Sequence, residues 1–426
     1  MLYDSHMKTT DFLNAPFTET LLERFISYAK IDTESNSQKA DQGLQPSSEG
    51  QWNLAKILNE ELKALGLENV ETSEHCYTYG FLKASPSFEN IQPFCLLAHI
   101  DTVEEVTGKN VEPLVHKNYS GEKIKLPFGN TLDPSNDKEL FLAGQEGDTI
   151  ITSTGHTLLG ADDKAGLAEI MTMLEYFSQN PSVKHGPIEV VFSPDEETGH
   201  GMDNIPLKLI KSKFAYTVDG GHIGEFEKEC FNAFKADVIF KGKSKHTGSA
   251  RPDMVNAINI ACAFVANLPR HEMPETTDAY QGFICPMKIE GGMEEAKVSL
   301  IVRDFEMDKM NVRLEKIKNL AKIQADLFGG QAEISFEEQY RNMKNGIEQN
   351  PLVIEKLISA AEKVGLDVKF TPIRGGTDGS RLTEMGIATP NIFTGGHNFH
   401  SRSEWASLSQ MVAATQVLIQ LAKVDF

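Results

Sequence analysis

Four short segments of this chain close apolar runs with carboxylates or a histidine, and a fifth lies far downstream. They read LLAHIDTV (Leu96–Val103), LLGADDKAG (Leu158–Gly166), FSPDEETG (Phe192–Gly199) and YTVDGG (Tyr216–Gly221); the fifth is GGHNFHSRSEW (Gly395–Trp405). His99 and Asp101 are two apart. On a strand they face the same way, so the imidazole can meet a metal while the carboxylate orients its ring; the plainer alternative is a strand end followed by a loop acid. Asp162 and Asp163 stand before a helical pattern, where one acid serves as a cap and the other is left able to bridge two metals. Asp195-Glu196-Glu197 sets three carboxylates side by side, which is costly unless water or a cation neutralises them. Behind a buried strand, that cluster reads as a metal ligand next to a general base. Asp219-Gly220 is also a turn signal, and His397 and His400 share a polar loop.

As a set, two histidines and four carboxylates suit Zn²⁺, which takes nitrogen and oxygen donors and keeps positions open for water. Two ions about 3.5–4 Å apart can share one Asp, activate a water and polarise a carbonyl. A free Glu beside them can carry the water's proton to a leaving amine. The chemistry indicated is amide hydrolysis.

Positioning these residues requires a layered frame. Phe17–Lys30 has helical spacing, and a polar loop follows from Asp32 to Pro46. Ser48 and Gln51 form a capping box that opens a helix over about 51–65, closed by Gly66. Phe94–Ile100 is apolar on both faces, as in a covered sheet. Val111–Gly147, rich in Gly, Pro, Asn and Lys, reads as an excursion with short hairpins. Strand Thr149–Thr152, helix Asp163–Phe177, buried strand Ile188–Phe192 and strand Phe214–Val218 follow, an alternation that implies an α/β core with a mainly parallel sheet and helices on both faces. Beyond Gly224 the pattern becomes β-α-β-β-α-β: Phe231–Phe240, Met254–Leu268, Phe283–Ile289, Lys297–Asp304, Asp308–Leu327 and Ala332–Glu338. That is a ferredoxin-like α+β unit, expected as an insert over 225–340 within a discontinuous first domain of 1–224 and 341–426. The first domain resumes with helix Pro351–Val364, strand Asp367–Thr371, the Gly375–Gly379 loop and a last helix over about 408–423.

A length of 426 residues is ample for two domains. With 40% hydrophobic and 24% charged residues, the chain is expected to be soluble and globular. Its net charge of −20 argues against nucleic acid or an anionic membrane as partner. Cys76, Cys95, Cys230, Cys262 and Cys285 form no CxxC pair; Cys95 and Cys262 read as buried thiols, and a reducing cytoplasm fits. The start, MLYDSHMKTTDF, lacks the pattern of a signal peptide, and Ser5-His6-Met7 has the look of a cloning scar. No stretch approaches 18 apolar residues.

The motifs HIDT (His99–Thr102), LLGADDKAG, PDEETG (Pro194–Gly199), VDGG, IRGGTDG (Ile373–Gly379) and NIFTGG (Asn391–Gly396) resemble those of the co-catalytic zinc exopeptidases. PSSEGQW (Pro46–Trp52) resembles in particular that family's tripeptide aminopeptidases, and the likeness runs from about Leu21 to Leu421. The resemblance implies two Zn²⁺ per subunit, for which Co²⁺ or Mn²⁺ can substitute. His99, Asp162 and Asp219 would hold one ion, and Asp162, Glu197 and His400 the other, with Asp162 bridging. Glu196 would be the general base and Asp101 the carboxylate orienting His99, and a cis peptide would join Asp162 to Asp163. The inserted domain would be a lid and a homodimer contact. From it His246 would reach the substrate, and Arg303 and Arg374 would bind its carboxylate. The function so implied is removal of the N-terminal residue from small peptides, tripeptides above all, in the cytoplasm. Dipeptidases, carboxypeptidases and N-acyl amino acid deacylases of the same fold are the alternatives.

Three departures stand out. His246-Thr247-Gly248 replaces the family's His-Pro-Gly, which loosens that loop because Pro fixes φ. His397 stands where the tripeptidases usually have Tyr, as a rival ligand, a proton donor or, in the favoured reading, a neighbour outside the ligand shell. Gly199-His200-Gly201 departs from the usual run after the acid cluster.

Overall fold

In a computed structural model the described residues are 8–424, so Ser5-His6-Met7 lies outside them. The chain divides into two compact units. Met1–Lys228, Asn345–Thr371 and Thr377–Phe426 form the first; Glu229–Lys344 and Pro372–Gly376 form the second.

The first unit is built on an eight-stranded sheet. Its strands are β1 (Glu68–Thr72), β2 (Thr78–Leu82), β3 (Phe94–His99), β4 (Ile188–Ser193), β5 (Ala215–Gly220), β6 (Glu225–Glu227), β7 (Lys369–Phe370) and β8 (Asn391–Phe393), in the order β1-β2-β4-β3-β5-β8-β6-β7. The four central strands β4, β3, β5 and β8 run parallel. Every residue of β3 and β4 is buried, as strands covered on both faces must be. Helices α1 (Thr18–Ala29), α3 (Ala161–Gln179), α4 (Pro351–Val364) and α6 (Leu408–Ala422) pack together as one layer, with α3 directly on β3 and β5. The opposite face is closed by Tyr77, Tyr79, Cys95, Leu97, Val191, Met202, Ile205 and Leu382, the last from α5 (Asp378–Glu384). Helix α2 (Glu49–Ala64) lies over β1 and β2.

Several expectations need correction. Ser48 does not cap α2 through its side chain. Gln51 is instead buried and turned toward Asp195, donating Nε2 to its charged carboxylate and accepting its main-chain N–H on Oε1. Ile150–Thr152 does not join the main sheet. It pairs with Leu114–His116 and Trp405–Ser407, the latter also paired with Gly396–His397, in a separate four-stranded sheet. The excursion carries the expected short hairpin, Ile124–Lys125 with Thr131–Leu132, but also a helix, Lys138–Glu146, capped by Asp137. Strand β3 stops at His99, before Asp101. Asp378 and Gly379 open a helix rather than closing a loop. Cys95 is buried, whereas Cys262 is exposed, because it falls outside the stripe of its helix that packs inward (Ala257, Ile260, Ala261, Phe264).

The second unit is a four-stranded antiparallel sheet backed by helices Ala257–Ala266 and Met307–Phe328. Asn232–Lys241 pairs with both Glu295–Asp304 and Gln331–Tyr340, and Phe283–Gly291 lies at the edge. The element order and the sheet order are those of a ferredoxin-like unit. Its core gathers Val238, Phe240, Ile260, Phe264, Val298, Leu300, Val302, Ile317 and their neighbours. Among the described residues no helix is long and apolar enough to cross a membrane.

Candidate metal centre

The parallel strands of the first unit deliver their last residues to one edge, where open α/β sheets hold their ligands. His99 ends β3, Asp219 is the fifth residue of β5, and the Asp195-Glu196-Glu197 turn follows β4. Asp162 arrives from another direction, at the start of α3, where Asp162 and Asp163 have non-helical backbone angles and are joined by a cis peptide. His400 comes from the loop between Gly396–His397 and Trp405–Ser407.

Asp162 lies between the two imidazoles. Its Oδ1 is 2.8 Å from His99 Nε2 and its Oδ2 is 3.1 Å from His400 Nε2. Asp219 Oδ1 is 3.5 Å from His99 Nε2, and Glu197 Oε2 is 3.1 Å from His400 Nε2. Donor atoms of His99, Asp162 and Glu197 all lie within 4.8 Å of one another, as do those of His99, Asp163 and Asp219. Asp163 is already engaged: Oδ2 accepts the His99 N–H at 3.1 Å and Oδ1 the Gly166 N–H at 3.2 Å. It therefore serves as a backbone clamp. Among the described residues Glu197 Oε1 is buried with no partner, a donor atom left over. Histidine nitrogens and carboxylate oxygens crowded in this way suit a borderline-soft divalent ion.

The electrostatics have the same cause. Burial lifts Glu197 to about 8, helped by the neighbouring Asp162 charge, and lifts Asp219 to about 6. Burial also raises Glu196 well above the usual carboxylate range. Asp162 goes the other way: burial would raise it, but His400 and His99 together hold it below its ordinary value. Burial disfavours a charged His99, yet Asp219, Asp101 and Asp162 outweigh it and raise the imidazole well above its ordinary value. Excess negative charge held out of water is what a cation would neutralise.

The acid turn is held from two sides. Asp195 adopts a left-handed conformation (φ 57°) and is buried. Its carboxylate accepts from Ser47 N at 2.8 Å and Gln51 Nε2 at 2.7 Å, and its own N–H donates to Gln51 Oε1 at 3.1 Å. Asp101 accepts the N–H of Glu196 on Oδ1 and of Glu197 on Oδ2, at 3.0 and 3.1 Å. Its Oδ1 is also 3.3 Å from His99 Nδ1, although that ring N–H falls outside hydrogen-bond geometry. Asp101 thus lies beside the His99 ring and fixes the acid turn.

Two site residues went unread in the sequence. Asp378 is buried, accepts from Ser193 Oγ at the end of β4, and is raised by burial to about 7. A Cβ on Gly201 would come within 2.1 Å of its Oδ1, so the unusual Gly199-His200-Gly201 run is required at least at Gly201. The Thr-Asp pair in IRGGTDG has the signature of a cap, and Thr377 does cap α5, which hid the acid beside it. Glu404 is 1% exposed and accepts three main-chain N–H groups of the LLGAD turn. The only signal was an acid four residues after His400.

His397 is buried and stacks on Trp405, with ring centroids 3.9 Å apart and planes 16° apart; His222 lies 4.7 Å away on centroids. It packs as an aromatic ring. The three expected substrate binders belong to the second unit. His246 is exposed and accepts the Gly248 N–H at 3.2 Å. Arg303 donates to the carbonyls of Phe234 and Val302 and lies over Tyr340, 5.5 Å from the ring centroid. Arg374 donates to the carbonyls of Ala279, Gln281 and Thr277 and to Thr277 Oγ1, and sits over Phe231. Four donor contacts fix Arg374 to its own unit.

Known proteins share both sequence and fold with this chain. The profile of peptidase family M20/M25/M40 matches residues 152–424. Peptidase T of Geobacillus thermodenitrificans is 43% identical over 409 residues, 95% of this chain and 98% of the relative. Peptidase T of Shouchella clausii is 44% identical over 407 residues, again 95% and 98%. Among solved structures, the aminopeptidase PepT of Bacillus cereus has a TM-score of 0.74 at 22% identity, covering 95% of this chain and 98% of that one. A tripeptidase of Staphylococcus aureus has a TM-score of 0.76 at 22% identity, covering 95% and 97%. At that identity these structures speak for the fold.

Proposed function

The chain belongs to peptidase family M20/M25/M40 and is a peptide hydrolase, and from that premise we propose that it is a zinc-dependent aminopeptidase removing the N-terminal residue of tripeptides. The observation that carries the proposal is Asp162, one carboxylate with an imidazole on each oxygen, flanked by Asp219 and Glu197. His99, Asp162 and Asp219 would hold one zinc, and Asp162, Glu197 and His400 the other. When bound, such a pair supplies a Lewis acid and a water acidic enough to attack near neutral pH.

The chain's own residues do the rest. Glu196 takes the attacking water's proton and returns it to the leaving amine. Asp101 keeps Glu196 and Glu197 on one turn beside the His99 ring. In this reading the second unit is the lid and homodimer contact, and its substrate binders are His246, which is exposed, with Arg303 and Arg374, whose guanidinium groups also donate to main-chain carbonyls of their own unit. Tripeptides are favoured because relatives at 43% identity over nearly the whole chain are Peptidase T, and because PSSEGQW (Pro46–Trp52) resembles the tripeptide aminopeptidases. The substrates are small peptides, and the compartment is the cytoplasm.

A substrate panel tests this proposal. A free tripeptide, its N-acetylated form, a dipeptide and an N-acyl amino acid are each incubated with the zinc-loaded protein. Cleavage of the free tripeptide alone is expected. Preferred cleavage of the acylated compounds would replace the proposal with a deacylase or carboxypeptidase.

A further inference from the structure

Helix α3 begins at a glycine that cannot cap it. Gly160, at φ +80°, precedes the helix and has no side chain to accept the exposed N–H groups of the first turn. Left alone in a buried turn, those donors would each cost free energy. Glu404, 244 residues from Gly160 in sequence, takes one of them, the Asp162 N–H, together with the N–H groups of Leu159 and Gly160 that lead into the helix. Its Oε2 accepts the N–H of Leu159 at 2.7 Å and of Gly160 at 2.8 Å, and its Oε1 accepts the N–H of Asp162 at 3.2 Å. The carboxylate is favoured there by the helix dipole as well as by the three hydrogen bonds.

Glu404 is itself firmly placed. Trp405–Ser407 follows at once and pairs with Ile150–Thr152, so the segment after Glu404 is anchored in a sheet. Four residues before it stands His400, whose Nε2 faces Asp162 Oδ2. One segment thus delivers an imidazole to the Asp162 carboxylate and a clamp to the Asp162 backbone.

We propose that Glu404 is a positioning residue for the metal centre: by binding the main-chain amides of Leu159, Gly160 and Asp162 it sets Asp162 in register between His99 and His400. The inference rests on the metal reading of the site. Its chemistry makes a specific demand on the side chain. Both oxygens must accept, two amides on one and one on the other. Glutamine keeps the size but offers a single acceptor, so one orientation strands the Asp162 amide against an NH₂ group and the other strands Leu159 and Gly160.

Glu404→Gln tests this, with Glu189→Gln as the comparison. Glu189 is another buried carboxylate that accepts main-chain N–H groups, those of Lys211 and Ser212, and the Tyr79 hydroxyl; it is the second residue of β4, at the end of that strand remote from the acid turn. Each metal-stripped protein is titrated with Co²⁺, and affinity is read by competition with a chromophoric chelator, alongside the visible Co²⁺ spectrum. Amide hydrogen exchange is followed over 158–163 without metal. Glu404→Gln is expected to weaken Co²⁺ binding by about 10–100-fold, to alter the Co²⁺ spectrum and to speed exchange at 158–163. Glu189→Gln should lower thermal stability but leave both the Co²⁺ spectrum and exchange at 158–163 as in the parent chain. Parent-like affinity and spectrum in Glu404→Gln would overturn the proposal, as would equal changes in Glu189→Gln. If the parent chain takes up no Co²⁺, the metal reading fails; exchange at 158–163 then decides the clamp by itself, and unchanged protection there overturns it. Should Glu404→Gln not fold, Glu404→Asp, one methylene shorter, carries the same comparison.

Discussion

The main-chain N–H of Glu196 donates to Asp101 Oδ1 at 3.0 Å. The residue that sequence spacing assigned to the His99 ring is therefore also an anchor for the acid turn. Removing it should disturb a ligand, a second ligand's backbone and the proposed base together. For Asp101→Ala we expect metal affinity to fall by roughly 10–100-fold, the range for losing a group that supports a metal ligand, with turnover falling further. Chelator competition and steady-state rates on the same preparation check this. Unchanged affinity would mean that the turn holds its shape without Asp101.

Glu196→Gln separates holding metal from using it. Glu196 is not among the proposed ligands, and Gln has nearly the same volume. Metal content should stay at the parent value while turnover drops by about 10²–10⁴, the usual worth of a general acid–base group. Elemental analysis with kinetics reads both. A fully active variant would remove Glu196 from the mechanism.

The stability of the metal-stripped protein should depend on pH in one direction. Glu197 and Asp219 are raised by burial to about 8 and about 6. A carboxyl with a raised folded-state pKa loses stability as pH climbs from its unfolded value, about 4, toward the folded one. His99 and His400 are also raised, with burial opposing and the surrounding carboxylates prevailing. Their contribution is complete below the unfolded imidazole value and fades as pH climbs, so its sign is the same. Asp162, held low, contributes evenly across this window. Thermal unfolding of stripped protein should therefore occur at lower temperature at pH 8 than at pH 5.5, by a few degrees. Zinc should remove most of that slope, because binding displaces the protons. A midpoint that rises with pH in the stripped protein would contradict the electrostatic picture of the site.

Gln51 ties α2 to the acid turn through a two-way amide contact with Asp195. Gln51→Ala leaves a buried carboxylate oxygen and a buried N–H short of partners, at a cost of about 1–3 kcal/mol. Urea denaturation of the metal-stripped protein measures it. No loss of stability would show that water or Ser47 takes over.

Much of the frame was legible because its signals are local. The runs Phe94–Ile100 and Ile188–Phe192 mark two of the central strands, and the β-α-β-β-α-β order marks the second unit. Ser48–Gln51 misled because a capping box and a long-range amide–carboxylate pair look alike in one dimension. Burial of Asp195, which decides between them, is set by segments far apart in sequence. Asp378 and Glu404 were missed for the same reason. Each satisfies groups that become adjacent only in the folded unit, Ser193 for one and the Leu159–Asp162 turn for the other. Ile150–Thr152 has the composition of a core strand, and only its partners, Trp405–Ser407 and Leu114–His116, place it in a different sheet.

The central claim is a shared two-metal centre that hydrolyses peptides from the free amino end. The most direct measurement is a zinc titration of stripped protein, scored by release of the N-terminal residue from an unblocked tripeptide. The account predicts no turnover without metal, a rise that levels off at two equivalents per chain, and no rise at any zinc level in Asp162→Ala. Full activity in the stripped protein, or a plateau at one equivalent, would contradict it.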